Sequence, residues 1–399
     1  MSKEAKSSNV RRPTAGASCR HNRSGQAPSA LKLLHAFPTF GVGGAQTRFA
    51  ALANALGPDF EHVVVSMDGV WGTEQLVQSG VRLRLLSVMA RKGGGLSLAN
   101  LRAFRDVLRK ERPDLLLTYN WGAIEWALAD RFRPICPHLH VVDGFGREEA
   151  RRQLPRRVWM RRLALCGPTT VVVPSQALHR LVVETWRLAP TRVRHVPNGI
   201  DAAALAKEVR QPLNLRRQAD ERLFGTLAGL RPEKNLARLL KIAAMLPDVL
   251  PWRLVIAGEG DQRAELEAQA HAIGLSERLV FTGFVDRPGS LLGELDVFVL
   301  TSDTEQMPIS VLEAMALGLP VLATDVGDLR FMLPAESRNT CVFARDQEAA
   351  FAERLAGLLA SPEERGHLGA LNRARTAEFS VEVMVARYER LLRDLIAAG

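Results

Sequence analysis

From residue 31 onward, short apolar runs alternate with longer stretches in which apolar residues recur every three or four positions. In the first half the runs are Leu31–Phe37, His62–Met67, Val81–Leu86, Leu115–Tyr119, Leu139–Val142, Thr170–Val173 and Val193–Val196. In the second half they are Leu223–Leu227, Leu254–Ala257, Leu279–Phe281, Val297–Leu300, Val321–Thr324 and Thr340–Phe343. Several are continuously apolar rather than alternating, the mark of parallel strands covered by helices on both faces. Helical periodicity fills the gaps, for example at Leu98–Lys110, Asn235–Met245 and Gln262–Ala272. Such alternation predicts doubly wound α/β domains. A turn at Pro197-Asn198-Gly199 and a polar stretch to Arg222 divide the chain, giving an N-terminal domain over 31–203 and a C-terminal one over 204–380. A last helical segment, Val381 to Ala397, has no strand after it.

Open α/β sheets bind ligands outside the carboxyl ends of their strands, so the residues just after each strand carry the chemistry. The first such place is Gly41-Val42-Gly43-Gly44-Ala45-Gln46-Thr47, a glycine loop opening a helix. Gly43 and Gly44 allow close backbone approach, and the helix start offers free amides to an anion. The dinucleotide fingerprint is absent, because Gln46 occupies the third glycine's place, and the alternative is a plain helix-entry turn. The second is Gly229-Leu230-Arg231-Pro232-Glu233-Lys234-Asn235, where Arg231 and Lys234 stand three apart before a helix. Two cations beside a helix N-terminus suit a diphosphate; a solvated loop is the plainer reading.

The third, Gly258-Glu259-Gly260-Asp261, permits a tight turn close to a ligand, with Asp261 as a helix cap. The fourth runs from Thr301 to Glu313. Pro308 at a first helical position predicts a helix to Leu317, stopped by Gly318 and Pro320. Glu305 then lies at the helix mouth and Glu313 more than a turn inside, placed to take hydroxyls from different parts of one ligand. The fifth is Asp143-Gly144-Phe145-Gly146 after a first-domain strand, with His140 inside the strand, where a packed histidine is the plainer reading.

The ordered set resembles glycosyltransferase family 4. Glu305 and Glu313 reproduce its E-x7-E pattern, and Pro197-Asn198-Gly199-Ile200-Asp201 is similar to its turn after the last N-domain strand. The loops at Gly229–Asn235, Ala257–Gly260, Phe281–Phe284 and Ala314–Val321 follow in the family's order, and the Gly43-Gly44 pair fits its acceptor-domain glycines. The resemblance implies a GT-B fold, two Rossmann-like domains facing across a cleft, and retaining, metal-independent sugar transfer from a UDP- or GDP-sugar, with no further cofactor. It implies that Arg231 and Lys234 hold the donor diphosphate, Glu313 the ribose, and Glu305 the transferred sugar. The sugar also meets backbone N–H groups of the loop from Gln306 to Ile309, in which Met307 and Pro308 lie. Gly258 and Glu259 join the donor side, and the last helix crosses back to the N-domain. Two departures stand out. Where many relatives carry a histidine, this chain has Asp143-Gly144, leaving Asp143 or His140 as the acceptor-side group. Where relatives often have a second glycine and an acid, it has Gly327-Asp328-Leu329-Arg330, which bears on donor preference.

Composition adds partners. With 53 Lys and Arg against 43 Asp and Glu, the formal net charge is +10, which favours anionic ligands or surfaces. Seven arginines and two glutamates lie between Arg147 and Arg162, with Leu154, Val158 and Trp159 interleaved. The stretch reads either as a solvated helix face or as contact with an anionic membrane surface or a lipid-linked acceptor. Nucleic acid is not expected, since no recognition motif accompanies the charge. The first 30 residues read as a basic disordered tail without the apolar stretch of a secretory signal, and organelle targeting is the lesser reading. No apolar run spans a bilayer, and the four cysteines form no C-x-x-C pair, which points to a reduced cytoplasmic chain, peripheral to a membrane at most. Two alternatives stay open: a non-catalytic nucleotide-sugar binder and, disfavoured by the missing fingerprint, a nicotinamide-dependent oxidoreductase.

Overall fold

The computed structural model describes residues 30–88, 96–145, 149 and 152–399, so the N-terminal tail reading falls outside the described residues. Two all-parallel sheets organise the chain. The first, in the order β3-β2-β1-β4-β5-β6-β7, comprises β1 (Leu31–Phe37), β2 (Phe60–Ser66), β3 (Arg82–Leu86), β4 (Leu115–Tyr119), β5 (His138–Val141), β6 (Thr170–Val173) and β7 (Val193–His195). The second, in the order β10-β9-β8-β11-β12-β13, comprises β8 (Arg222–Leu227), β9 (Trp252–Ala257), β10 (Leu279–Gly283), β11 (Val297–Leu300), β12 (Val321–Thr324) and β13 (Val342–Phe343). In each sheet the order reverses beside the first strand of the domain, which opens a crevice at the strands' carboxyl ends.

The helices that position the crevice residues are α1 (Gly44–Leu56), α2 (Leu98–Glu111), α3 (Ile124–Arg131), α4 (Pro155–Leu165) and α5 (Gln176–Glu184) in the first half. In the second half they are α6 (Ala202–Glu208), α7 (Leu236–Ala244), α8 (Arg263–Ala272), α9 (Pro288–Leu292) and α10 (Ile309–Ala316). Strands β4, β5, β6, β11 and β12 are buried at every position, which is why they read as unbroken apolar runs.

The chain crosses from one sheet to the other at Ile200 and returns at Ser380, the two strands of chain pairing as a parallel bridge. Gly199 is required at this crossing. A Cβ there would stand 2.7 Å from the Ser380 carbonyl oxygen and 2.8 Å from the Val381 Cα. After the return, the C-terminal helix Val381–Ala398 sets Met384, Val385, Tyr388 and Leu392 into the same apolar cluster as Phe37, Phe49 and Val64 of the first domain. Each large apolar side chain so buried stabilises the docking by roughly 1.5–3 kcal/mol, so this helix belongs energetically to the first domain although it follows the second in the chain.

Three local expectations change. Thr340 and Cys341 are not strand: Arg338–Cys341 is a short helix, with the Thr340 hydroxyl donating to the Ser337 carbonyl at 3.1 Å, and only Val342–Phe343 pairs with β12. Pro308 is the extended residue preceding α10, not its first helical residue. Asp261 does not cap α8, whose flanking residue is Gln262. Among the described residues, no helix is long and apolar enough to cross a membrane.

Candidate functional site

The loop after β8 and the loop after β11 meet at the carboxyl ends of neighbouring strands. Asn235 takes a left-handed conformation, its side-chain oxygen accepts from the Arg238 amide that opens α7, and its amide nitrogen donates to Asp303. Asp303 in turn donates its backbone N–H to the Glu233 carbonyl at 2.9 Å. Locked in this way, the two loops bring Lys234 and Glu305 together: Nζ donates to Oε1 at 2.6 Å, and the Ser302 hydroxyl donates to the same oxygen at 2.7 Å. Both charged groups keep a window to solvent, with 18% and 10% of their side chains exposed. Arg231 is far more open and pairs with Glu233 at 3.2 Å, which leaves its fork free to turn toward an anion.

Behind this pair, α10 begins at Ile309, and its first amides lack intrahelical acceptors by construction. Glu313 lies four residues further, ~6 Å along the axis. Burial, reinforced by Glu208 at the end of α6, pushes its carboxyl up from 4.5 to about 7. The site thus has one carboxylate held in an ion pair and a second in surroundings that disfavour its charge. Lys234 lies in the loop after β8, and Glu313 lies in α10, the helix that follows the loop carrying Glu305.

The turn after β9 closes the floor. Gly258 and Gly260 have φ of 137° and 159°, and a Cβ on either would stand about 2 Å from the Ala228 or Leu230 carbonyl, so only glycine fits. The Glu259 carbonyl accepts from the Leu230 amide at 2.8 Å, while its carboxylate is exposed beside Gly283. Met307 meets the first domain through both backbone and side chain, its sulfur accepting from the Asn198 N–H at 3.3 Å. Met307 is 3% exposed within the second-domain core, and its carbonyl accepts from the Asn198 side-chain amide at 2.8 Å.

The first domain faces this arrangement directly. A Cβ on Gly44 would lie 3.6 Å from Ile309 Cδ1, and one on Gly144 would lie 3.6 Å from Gln306 Cγ. Gly43 adjoins the Gln46 side chain, which donates to the Thr39 carbonyl. Asp143 sits at the cleft wall in an ion pair with Arg48 of α1, and its second oxygen is without a partner. Arg48 also donates to the Asn198 oxygen at 3.0 Å, so Asp143, Arg48, Asn198 and the Met307 carbonyl form one polar chain across the two domains.

His140 does not join this wall. It is 1% exposed, its Nδ1 shares the Thr118 hydroxyl at 2.7 Å, and burial followed by the charges of His138 and Arg161 holds its pKa well below the usual imidazole range. It is a packed neutral histidine, and of the residues expected on the acceptor side Asp143 and Gly144 are the ones at the wall facing the second domain.

Sequence reasoning missed Arg48 and Asn198 as a bridge, and it singled out Asp328 only as a departure bearing on donor preference. The available signal for Arg48 was a lone arginine one turn into a helix otherwise lined by Phe49, Leu52 and Ala53. The basic stretch also divides. Arg161 is buried, paired with Glu149 at 2.5 Å and packed against Trp121 and Trp186, while Arg152, Arg156 and Trp159 are exposed. Arg147 lies outside the described residues.

Comparison with known proteins places these features in company. Residues 43–199 match the family described as "Glycosyl transferase 4-like domain", and residues 207–375 match "Glycosyl transferases group 1". A putative glycosyltransferase of Bacillus subtilis (strain 168), EpsF, is 27% identical over 316 residues, 74% of this chain and 80% of that protein. The UDP-Gal:alpha-D-GlcNAc-diphosphoundecaprenol alpha-1,3-galactosyltransferase of Escherichia coli is 25% identical over 57% of this chain, and the match spans 62% of its own length, less than two thirds. Among solved structures, Anabaena HepE in complex with UDP and glucose superposes with a TM-score of 0.78 at 19% identity, over 92% of this chain and 100% of that one. The sucrose-phosphate synthase of Thermosynechococcus elongatus gives 0.75 at 21% identity with the same coverage.

Proposed function

This chain is a glycosyltransferase of the GT-B fold, and on that premise we propose that it moves a sugar from a UDP- or GDP-sugar to a lipid-linked or glycan acceptor, with retention at the anomeric carbon. The observation that carries the reading is the Lys234–Glu305 pair at the mouth of α10, next to Gln306 and Ile309, which meet Gly144 and Gly44 of the other domain. As the nucleoside diphosphate departs, negative charge grows on its phosphates. Lys234, Arg231 and the first amides of α10 are placed for that charge, where preorganised electrostatics lower a barrier most. Glu305 faces the electron-poor sugar, Glu313 takes ribose hydroxyls, and Asp143, paired with Arg48 at the cleft wall, serves the acceptor side.

The donor is tested by melting curves with UDP-, GDP- and ADP-sugars. One class is expected to raise the midpoint, because a ligand at 100 times its Kd adds about 2.7 kcal/mol. Release of the nucleoside diphosphate in the presence of acceptor then separates an enzyme from a mere binder. No shift with any of the three, and no release, would remove this reading.

A lipid-linked acceptor is favoured by α4. Trp159 is 62% exposed, and with Arg152, Gln153, Pro155, Val158 and Arg162 it lines an open groove of about 490 Å³. An aromatic body amid arginines suits the headgroup region of an anionic bilayer. Sedimentation with phosphatidylglycerol vesicles is expected to pull down the protein, and Trp159→Ala combined with Arg156→Glu to leave it in the supernatant. Equal sedimentation with neutral phosphatidylcholine vesicles would contradict the anionic preference.

A further inference from the structure

Asp328 follows β12 in the second domain, where the sequence departs from the family's pair of glycines. It is 5% exposed, and its carboxylate leaves its own domain: Oδ2 accepts from the Gln176 amide at 2.7 Å and Oδ1 from the Ala177 amide at 3.1 Å. These are the first two N–H groups of α5, a first-domain helix whose own cap, Ser175, accepts from Leu178 and donates to the Gln306 side chain at 3.0 Å. On its other side, the Asp328 amide donates to the Gln306 carbonyl at 2.9 Å. Gly327, at φ 56°, lies directly under the same loop, where a Cβ would meet the Glu305 and Gln306 carbonyls at 2.6 and 2.5 Å.

One residue therefore touches both the backbone that presents Glu305 and the helix end of the opposite domain. A buried carboxylate is costly unless its lone pairs are filled, and here two amides at the positive end of a helix fill them. The interaction exists only while the domains are together; parting them strands a charge on one side and two amides on the other. We infer that Asp328 is an interdomain latch, a positioning residue that fixes the Glu305–Met307 loop in register with the first domain. The contacts with substrate are made by other groups. Lys234, Arg231 and Glu313 all belong to the second domain, so nucleotide binding does not need the latch, whereas sugar transfer to an acceptor held by the first domain does. That kinetic half of the inference rests on the function proposed above; the structural half does not.

The test is amide hydrogen exchange on the whole protein, followed over the start of α5 and the Gln306 loop, with UDP binding and turnover on the same samples. Asp328→Ala is expected to speed exchange at Gln176 and Ala177 and at the 305–307 loop, and Asp328→Asn, which keeps an acceptor but no charge, to fall between. Turnover should drop roughly tenfold to a hundredfold, the scale of a misplaced reacting group, while the Kd for UDP stays within about threefold. Gln176→Pro attacks the latch from the other domain. Proline suits a first helical position but removes the amide hydrogen, and it should reproduce the same split without touching the second domain. Unchanged exchange at α5 in both variants would overturn the latch, as would UDP affinity and turnover falling together. A wild-type protein that binds no nucleotide would sink the proposed function, yet the exchange pattern would still decide the latch.

Discussion

Lys234→Ala is expected to lower turnover by a hundredfold or more, about 3 kcal/mol of barrier. Two effects combine. The variant loses the compact cation that the proposed function sets beside the departing diphosphate, and Glu305 loses the partner that holds it at 2.6 Å, keeping the Ser302 hydroxyl. Arginine should rescue only in part, since its planar fork cannot reproduce a point charge in that position. Some stability should be lost as well, because removing Lys234 leaves a carboxylate that is only 10% exposed without its cation. Glu305→Ala should cost a similar factor, and the double variant little more than either, as groups acting as one unit are not additive. Initial rates of nucleoside diphosphate release check this, with melting curves as the control. A Lys234→Ala enzyme within a few-fold of wild type would contradict the assignment.

Glu313→Gln is expected to separate stability from binding. Burial first, and Glu208 second, raise the folded carboxyl to about 7, whereas in the unfolded chain it ionises near 4.5. Between those values the folded protein holds a proton that the unfolded chain has shed. The contribution of this group is therefore whole below pH 4.5 and lost as pH climbs through 7, a decline of about 1–3 kcal/mol. Glutamine removes the ionisation. Urea unfolding should show the variant gaining on wild type from pH 5 to 8 and level with it below 4.5. Its affinity for UDP should fall about tenfold, because a neutral amide replaces an ionisable acceptor that makes stronger bonds to hydroxyls. A variant less stable than wild type at pH 8 would contradict the raised carboxyl of Glu313.

The fold was legible because parallel strands covered on both faces leave unbroken apolar runs. β1, β4, β6, β11 and β12 fall where those runs begin and end. Legibility failed where local chemistry competes with the ladder, as at Thr340, whose hydroxyl turns back onto its own backbone beside an edge strand. The cationic loop and the loop carrying Glu305 were readable because each follows a strand and precedes a helix, and Glu313 by its spacing from Glu305 inside that helix. What joins them across the domains was not. Arg48 meets Asp143 because α1 follows β1 and Asp143 follows β5, two strands away in the sheet, and Asp328 meets Gln176 only when one domain faces the other. His140 shows the converse: a polar residue in a strand buried on both faces reads as a candidate, yet satisfies its hydrogen bond internally on Thr118.

The most direct measurement is a crystal structure of the protein with UDP bound. The diphosphate should lie within hydrogen-bonding distance of Arg231 and Lys234, the latter released from Glu305, with the ribose hydroxyls on Glu313. A nucleotide seated against Gly41–Gly44 of the first domain, with Lys234 still paired to Glu305, would contradict the account.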